Sequence, residues 1–174
     1  MKKIKYNYIF KLMISSILEI YTDGSLVKKN GITYCGYGIY FPNQEYKPIS
    51  RKFTHEPITN NRAELYAILK SIVISNIINL ERIKNNQEEI RLVNIYSDSE
   101  YSVKTFNEWL PKWKKEKKEY KNPDIINEIE EHISIAPFKV IMKHVRAHTG
   151  KTDIHSISND IVDQLAKKGA FRKK

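Results

Sequence analysis

Four carboxylates in separate segments have the types and neighbours needed for one divalent-metal site. They are Asp23 in TDGS, Glu64 in TNNRAEL, Asp98 in YSDS and Asp163 in SNDIVDQLA. Each lies beside a signal for a strand end or a helix start, so a compact fold could bring all four together. Clustered carboxylates repel one another unless a cation neutralises them. Two Mg²⁺ ions about 3.5–4 Å apart would do so, and would clamp the attacking and leaving oxygens of a phosphodiester.

Each acid also has a purely structural interpretation. Asp23 begins an Asp-Gly pair, which is common in hairpin turns. Asn61 and Glu64 have the spacing of a helix-capping pair. Asp98 precedes a predicted helix, and Asp163 lies in the first turn of another, where the helix dipole favours an acid. Separate structural roles do not explain why all four motifs occur together in one chain. A shared metal site does, so it is the better explanation of the four acids.

Five short motifs occur in the order TDGS, TNNRAEL, SDS, VRAHTG and NDIVDQLA. Their order resembles the type-1 ribonuclease H family, whose members cut the RNA strand of RNA–DNA hybrids with Mg²⁺. The resemblance extends over residues 17–170. It implies an α/β, ribonuclease H-like fold with a five-stranded mixed sheet flanked by helices, and the acids at one sheet edge. It also implies a two-metal-ion hydrolysis that leaves 3′-hydroxyl and 5′-phosphate ends.

The resemblance assigns a role to each acid. Asp23 is expected to bridge both ions, while Glu64 and Asp98 bind the ion near the nucleophilic water. Asp163 is expected to hold the second ion. The expected cofactor is Mg²⁺, with Mn²⁺ as the alternative.

A histidine is expected to assist the acids in proton transfer or product release. His148, in VRAHTG, matches the family's catalytic-loop histidine. It lies 15 positions before Asp163, which is a longer separation than family members show. His155, in the extra stretch 151–158, is therefore the alternative candidate.

Several polar residues match positions where the family contacts the RNA strand. An amide can both donate and accept a hydrogen bond, so it can sense the 2′-hydroxyl that distinguishes RNA from DNA. The expected RNA contacts are Asn60 and Asn61, with Ser25 and Asn159 as weaker candidates. The structural alternative for the first two is helix capping.

Contacts to the DNA strand are expected from two regions. Thr59 and Asn122 match the family's phosphate-binding pocket, although Pro57 stands where some members have an arginine. The segment 109–121, WLPKWKKEKKEYK, resembles a shortened form of the family's basic protrusion. Within it, Trp113, Lys114 and Lys115 are the expected contacts. The alternative is that the lysines form only a solvated surface.

Composition agrees with a nucleic-acid partner. The 174-residue chain has 30 Lys+Arg against 20 Asp+Glu, a formal net charge of +10 and a pI near 9.5, which suits a polyanion. A membrane surface is the competing partner, but no segment is expected to span a membrane. The single cysteine, Cys35, excludes an internal disulfide and favours a reducing compartment.

We expect a tail at residues 1–16 and one ribonuclease H domain at residues 17–174. The tail has a basic start and a short apolar run, but Lys11 interrupts the run and no small-residue cleavage site follows. Met13 is an alternative start. The expected protein is a monomer that acts inside the cell, wherever hybrids form, and is not secreted.

Hydrophobic periodicity and turn residues predict an alternation of strands and helices. The predicted strands cover residues 17–22, 32–40, 46–54, 90–96 and 138–145. The predicted helices cover residues 61–80, 99–109, 124–133 and 159–168, the last ended by Gly169.

Two competing functions follow from the same pattern. One is a DNA nuclease or integrase with this fold, which the asparagines of TNNRAEL disfavour because DNA lacks the 2′-hydroxyl. The other is a hybrid-binding protein without catalysis, which has no use for four repelling carboxylates.

Overall fold

The computed structural model describes residues 16–147, 150 and 152–173, and within them five strands form one mixed sheet. The strands are β1 (Ile17–Lys29), β2 (Ile32–Tyr40), β3 (Ile49–Lys52), β4 (Leu92–Ser97) and β5 (Lys139–His144). Their order across the sheet is β3-β2-β1-β4-β5. β1, β2 and β3 form an antiparallel meander, whereas β4 pairs parallel with both β1 and β5. The predicted fold class is confirmed.

Helices cover both faces of this sheet. They are α1 (Asn60–Lys84), α2 (Glu100–Lys104), a π-helical turn (Thr105–Trp109), α3 (Leu110–Lys115), α4 (Pro123–Ile135) and α5 (Ile154–Ala170). α1 packs against β1 and α4 on one face, and α5 packs against β2, β1 and β3 on the other. The main core lies between the sheet and the α1–α4 layer.

β1 is longer than the sequence predicted. It continues past residue 22 to Lys29, so Asp23 and Ser25 are strand residues, and the structural alternative of a hairpin turn at the Asp-Gly pair is excluded. The hairpin turn is formed by Asn30 and Gly31, both with positive φ (51° and 75°). A two-residue turn of this kind matches the twist of an antiparallel hairpin.

Gly24 allows α1 to approach β1 at backbone distance. A Cβ added at Gly24 would lie 2.3 Å from the backbone nitrogen of Glu64 and 2.6 Å from the carbonyl carbon of Ala63. No side chain fits in that space, so residue 24 must be glycine for the helix to rest on the strand. This contact places Glu64 beside the strand that carries Asp23.

α5 begins earlier than predicted, at Ile154. Asp153 caps it by accepting hydrogen bonds from two backbone N–H groups of the first turn, so residues 154–158 of the extra stretch 151–158 are helical. Asp163 consequently lies in the third turn instead of the first. Gly169 does not end the helix, which continues to Ala170. It packs against the backbone of Arg51 in β3.

α1 is the central helix, and it differs from the sequence-based expectations in two details. The helical spacing of its apolar residues predicts one buried stripe that includes Ile72 and Ile77, but Ile72 is fully buried whereas Ile77 is 51% exposed. By length and apolar composition the helix also qualifies as a membrane span, although no such segment was expected. Of the qualifying window, 61% is buried inside the protein, as in the core helix of a globular domain.

Candidate metal centre

Three carboxylates converge at the centre of the sheet. Asp23 comes from β1, Glu64 from the first turns of α1, and Asp98 from the residues just after β4; one ligand oxygen of each lies within 4.8 Å of the others. Asp23 and Glu64 are each 5% exposed, and Asp98 is partly exposed. Because β1 is the third of the five described strands, the expected location at a sheet edge is wrong.

Asn60 joins the strand and the helix that carry the two buried acids. Its Oδ1 accepts a hydrogen bond from the backbone N–H of Leu26 (3.0 Å), and its Nδ2 donates to Oε1 of Glu64 (3.4 Å). Asn60 therefore holds the carboxylate of Glu64 in place. Its predicted contact with the RNA strand stays a prediction.

Asp98 is held from two sides by groups from other elements. Nδ2 of Asn159, on α5, donates to its Oδ2 (2.9 Å), and Nε2 of His144, at the end of β5, donates to its backbone carbonyl (3.2 Å). Asn159 is 1% exposed. Its observed contact orients Asp98, and its predicted contact with the hybrid stays a prediction.

Asp163 stands outside the group of three. It lies on α5 one turn after Asn159, and its Oδ2 forms an ion pair with Nζ of Lys167 at 2.6 Å. Its charge nevertheless acts on the cluster, because it contributes to the raised pKa of Asp23. The structure thus gathers three of the predicted acids and keeps the fourth within electrostatic range.

The two buried acids are poorly suited to carrying negative charge on their own. Burial, followed by the charges of Asp98 and Asp163, raises the pKa of Asp23 from 3.8 to about 8. Burial also raises the pKa of Glu64 well above its usual value, with Asp23 and Asp98 adding to the effect. Oδ2 of Asp23 and Oε2 of Glu64 are buried without a hydrogen-bond partner among the described residues.

These properties fit a divalent cation. Mg²⁺ and Mn²⁺ prefer oxygen ligands, and the cluster offers carboxylate oxygens, two of which have no partner in the described part of the protein. A bound cation would favour the ionised form of each acid and so reverse the effect of burial on its pKa.

Two helix N-termini meet where a DNA phosphate was expected. Thr59 caps α1 by accepting from the backbone N–H of Arg62, and Asn122 precedes α4. Arg62 and Asp124 join the two helices through hydrogen bonds of 2.8 and 2.6 Å. Arg62 is 4% exposed, and it lowers the pKa of Asp124. Backbone N–H groups at helix N-termini favour phosphate, and the phosphate-binding pocket at Thr59 and Asn122 stays a prediction.

The Arg62–Asp124 pair was missed at the sequence level. Arg62 stands inside the TNNRAEL motif, but its partner is 62 positions away. The only available signal was an arginine in the first turn of an otherwise apolar helix, where the helix dipole disfavours a cation.

The other predicted RNA contacts differ in accessibility. Ser25 is 7% exposed on β1, whereas Asn61 is exposed at the start of α1. Of these two, Asn61 alone is exposed to solvent.

The basic segment places its aromatic residues in a stack. The ring of Trp113 lies 5.4 Å from that of Tyr120 at an interplanar angle of 14°, and 5.7 Å from that of Trp109. Lys114 forms an ion pair with Glu130 at 2.5 Å, while Lys115 is exposed. Both remain predicted DNA contacts, and Lys115 is the better placed because no acid in the described part of the chain binds it.

One of the two candidate histidines, His155, lies in the described part of the protein. His148 lies outside the described residues. His155 lies in the first turn of α5, and its Nδ1 is 2.7 Å from the hydroxyl of Tyr21. Its ring packs against Tyr21 and Tyr96. These contacts with Tyr21 and Tyr96 pack the start of α5 against the sheet.

Sequence comparison relates the chain to ribonucleases H. The family model for RNase H matches residues 15–171. A ribonuclease H of Schizosaccharomyces pombe is 35% identical over 87% of this chain and 52% of its own length. A probable ribonuclease H of Acanthamoeba polyphaga mimivirus is 38% identical over 79% of the chain and 58% of its own length. The chain thus spans just over half the length of these two relatives.

A shorter relative and solved structures agree with this. A ribonuclease HI of Haemophilus influenzae is 31% identical over 88% of the chain and 89% of its own length. The solution structure of the PFV RNase H domain matches with a TM-score of 0.65 and 25% identity, covering 88% of this chain and 94% of that one. LC11-RNase H1 in complex with an RNA/DNA hybrid shares the fold, with a TM-score of 0.59 and 18% identity over 88% and 96% of the two chains.

The family model covers nearly the whole chain, and the matched region contains the motifs whose acids converge in the structure. The chain belongs to the ribonuclease H family.

Proposed function

We propose that the chain is a metal-dependent endoribonuclease that hydrolyses the RNA strand of RNA–DNA hybrids. The observation that carries the proposal is the buried Asp23–Glu64 pair, with two partnerless oxygens beside Asp98 among the described residues. Burying carboxylate oxygens without partners is costly, so a protein that only bound hybrids would gain nothing from this arrangement. Membership of the ribonuclease H family supports the choice of substrate.

Four residues would hold the metal ions. Asp23, Glu64 and Asp98 form the core of the site, and Asp163 would complete it for a second ion. Two Mg²⁺ ions, or Mn²⁺ in their place, would supply an activated water and stabilise the departing 3′-oxygen. The products would carry 3′-hydroxyl and 5′-phosphate ends.

The chain's own groups orient the acids and handle protons. Asn60 and Asn159 fix the carboxylates of Glu64 and Asp98 through the hydrogen bonds described above. His144 fixes the backbone of Asp98. His148 is the proposed proton-transfer group, on the basis of its motif.

Separate groups would recognise the two strands of the hybrid. The exposed amide of Asn61, with Asn60, would contact the 2′-hydroxyls of the RNA strand. The N-termini of α1 and α4, marked by Thr59 and Asn122, would bind a phosphate of the DNA strand. The exposed basic segment would add contacts to that strand.

We further infer that the protein acts as a monomer inside the cell, where hybrids form. Cys35 is free and buried, which supports a reducing compartment.

Cleavage of one labelled sequence as RNA–DNA, RNA–RNA and DNA–DNA duplexes tests the function. We expect Mg²⁺-dependent cutting of the RNA strand of the RNA–DNA duplex alone, abolished by a chelator. Cutting of the DNA–DNA duplex would identify a DNA nuclease instead. Tight hybrid binding without cleavage in Mg²⁺ or Mn²⁺ would identify a binding protein.

A further inference from the structure

A second polar cleft opens next to the metal centre, between the end of β5 and the start of α5. Its volume is about 370 Å³. Basic side chains line it on several sides, together with one aromatic ring and one acid: Lys143, His144, Arg146, His155, Tyr96 and Asp153. None of these residues belongs to the acid cluster or to the predicted hybrid contacts.

The charge of the cleft is positive. Lys143 and Arg146 are exposed, and neither forms an ion pair with an acid in the described part of the chain. The one acid in the lining, Asp153, is already engaged. It accepts hydrogen bonds from the backbone N–H groups of His155 and Ser156 and from the hydroxyl of Ser156 (2.8 Å).

Two of the basic groups are held in position by aromatic residues. Nζ of Lys143 lies 3.4 Å from the hydroxyl of Tyr96 and 5.2 Å from the centre of its ring. Nδ1 of His155 is 2.7 Å from the hydroxyl of Tyr21. Fixing these side chains in the free protein reduces the entropy that they would lose on binding a ligand.

The cleft is directly connected to the metal centre. His144, which lines the cleft, donates a hydrogen bond from Nε2 to the backbone carbonyl of Asp98 (3.2 Å). Successive phosphates of one nucleic-acid strand follow at about 3.4 Å of helix rise. Because His144 and Asp98 are in direct contact, a strand with one phosphate at the acid cluster would bring a phosphate a few nucleotides away to the cleft.

We propose that this cleft binds a phosphate group of the RNA strand, one to three nucleotides from the cleaved bond. The proposal rests on the proposed function, since it takes the acid cluster as the place of cleavage. Lys143 supplies a point charge, and the guanidinium of Arg146 supplies a bidentate donor of the kind that suits phosphate. The cleft thereby fixes the register of the strand relative to the acids.

Hybrid binding without cleavage tests the proposal. The dissociation constant of an RNA–DNA hybrid is measured in Ca²⁺ over a range of salt concentrations, for the wild type and for Lys143→Gln/Arg146→Gln. We expect the double substitution to weaken binding at least about fivefold and to reduce the salt slope by about 0.7–0.9 for each phosphate that is no longer neutralised. Lys143→Arg should retain most of the affinity.

Lys84→Gln/Lys139→Gln is the matched control. Lys84 is exposed at the last residue of α1, and Lys139 is exposed at the opposite end of β5 from Lys143. This variant also loses two positive charges, so general electrostatic attraction falls equally. Equal binding by the two double variants, with both melting like the wild type, would overturn the proposal.

Single uncharged methylphosphonate linkages in the RNA strand locate the phosphate. In the wild type, one linkage within three nucleotides of the cleaved bond should weaken binding, and the same linkage should have little further effect in Lys143→Gln/Arg146→Gln. An equal reduction of affinity in both proteins would show that the cleft does not contact that phosphate and would refute the assignment.

Two further outcomes separate this inference from others. If inorganic phosphate binds the wild type but Lys143→Gln/Arg146→Gln binds the hybrid normally, the cleft is a site for free anions and the proposal is wrong. If the methylphosphonate effect is found at one linkage but the hybrid is never cut in Mg²⁺ or Mn²⁺, the cleft binds a phosphate of the RNA strand but its position relative to a cleaved bond is refuted together with the proposed catalytic function.

Discussion

The two halves of the acid site are built differently. The inner half, Asp23 and Glu64, is buried, and each side chain has an oxygen without a partner among the described residues. The outer half, Asp98 and Asp163, is partly exposed, and each side chain has a partner from α5: Asn159 for the first and Lys167 for the second. Protein groups therefore stabilise the negative charge of the outer half more than that of the inner half.

This difference indicates that the inner and outer acids contribute to the metal site in different ways. The inner pair has the raised pKa values and depends on a cation to become ionised. The outer pair is oriented by protein groups before a cation arrives. We therefore expect substitutions in the inner half to affect chemistry and metal-free stability, and substitutions around the outer half to affect geometry.

Asp23→Asn should have the largest effect of the changes considered. It removes an inner ligand, so we expect the cleavage rate at saturating Mg²⁺ and hybrid to fall at least about 1000-fold, equivalent to about 4 kcal/mol. Hybrid binding in Ca²⁺ should survive. Glu128→Gln, at an exposed position on α4, is the charge-matched control and should cut normally. Substantial Mg²⁺-dependent turnover by Asp23→Asn would contradict the metal site.

His148→Ala should reduce kcat about ten- to a hundredfold, at or below the range typical of proton transfer by a positioned side chain. His155→Ala should leave kcat near that of the wild type, because the contacts of His155 are with Tyr21 and with the basic cleft. Both rates are measured at saturating hybrid across pH 6 to 9. A large fall in kcat for His155→Ala, with His148→Ala near the wild type, would reverse the two assignments.

Asn159→Ala tests whether the outer half depends on protein contacts. It leaves Oδ2 of Asp98 without its donor, and we expect apparent metal affinity to fall about 10- to 100-fold, as for other groups that orient metal ligands. Asn60→Ala is the inner counterpart. Its hydrogen bond to Glu64 is longer (3.4 Å), so its removal should weaken metal binding less. Calorimetric titration with Mn²⁺ checks both, and equal affinities in Asn159→Ala and the wild type would contradict the comparison.

The pH dependence of metal-free stability should give the smallest effect. The folded protein keeps the Asp23 proton up to about pH 8, whereas the unfolded chain loses it near pH 3.8. Between these values the folded state binds more protons, so the free energy of unfolding falls as pH rises. With chelator present, we expect the Tm to fall by several degrees between pH 5 and pH 8, at about 2–4 °C for each kcal/mol.

Three controls accompany that measurement. Asp23→Asn should reduce the slope of the curve and raise the metal-free Tm near pH 8, while saturating Mg²⁺ should flatten the curve of the wild type. Asp163→Asn leaves the inner pair buried, so most of the slope should remain. Parallel curves for the wild type and Asp23→Asn would show that Asp23 does not carry the effect.

The sheet and the identity of the acids could be predicted because both depend on local signals. Strand and helix periodicity located the elements, and the motifs located Asp23, Glu64, Asp98 and Asp163. The error in β1 has a physical reason: an Asp-Gly pair is a common turn signal, but residues 23–29 pair with β2 in an antiparallel ladder, and α1 packs on Gly24. Tertiary packing overrode local propensity.

The partners of the acids could not be predicted in the same way. Asn159 and Asp98 are 61 positions apart, and so are connected only by the fold. The start of α5 was missed because its cap, Asp153, lies within a stretch that the motif spacing marked as an insertion. The cleft around Lys143 and Arg146 also required the structure, because β5 and α5 contribute its sides separately.

The contact at Gly24 also bears on which ion the protein can use. Because α1 rests on β1 at backbone distance, the main chain sets the spacing between the Cα atoms of Asp23 and Glu64, and a change of rotamer cannot widen it. Mg²⁺ is smaller than Ca²⁺ and demands a tighter and more regular arrangement of oxygens. A fixed spacing of the inner acids should thus suit the smaller ion better. We expect Ca²⁺ to bind, but in a geometry that does not support cleavage. Selectivity for the metal would then reside in a residue that has no side chain.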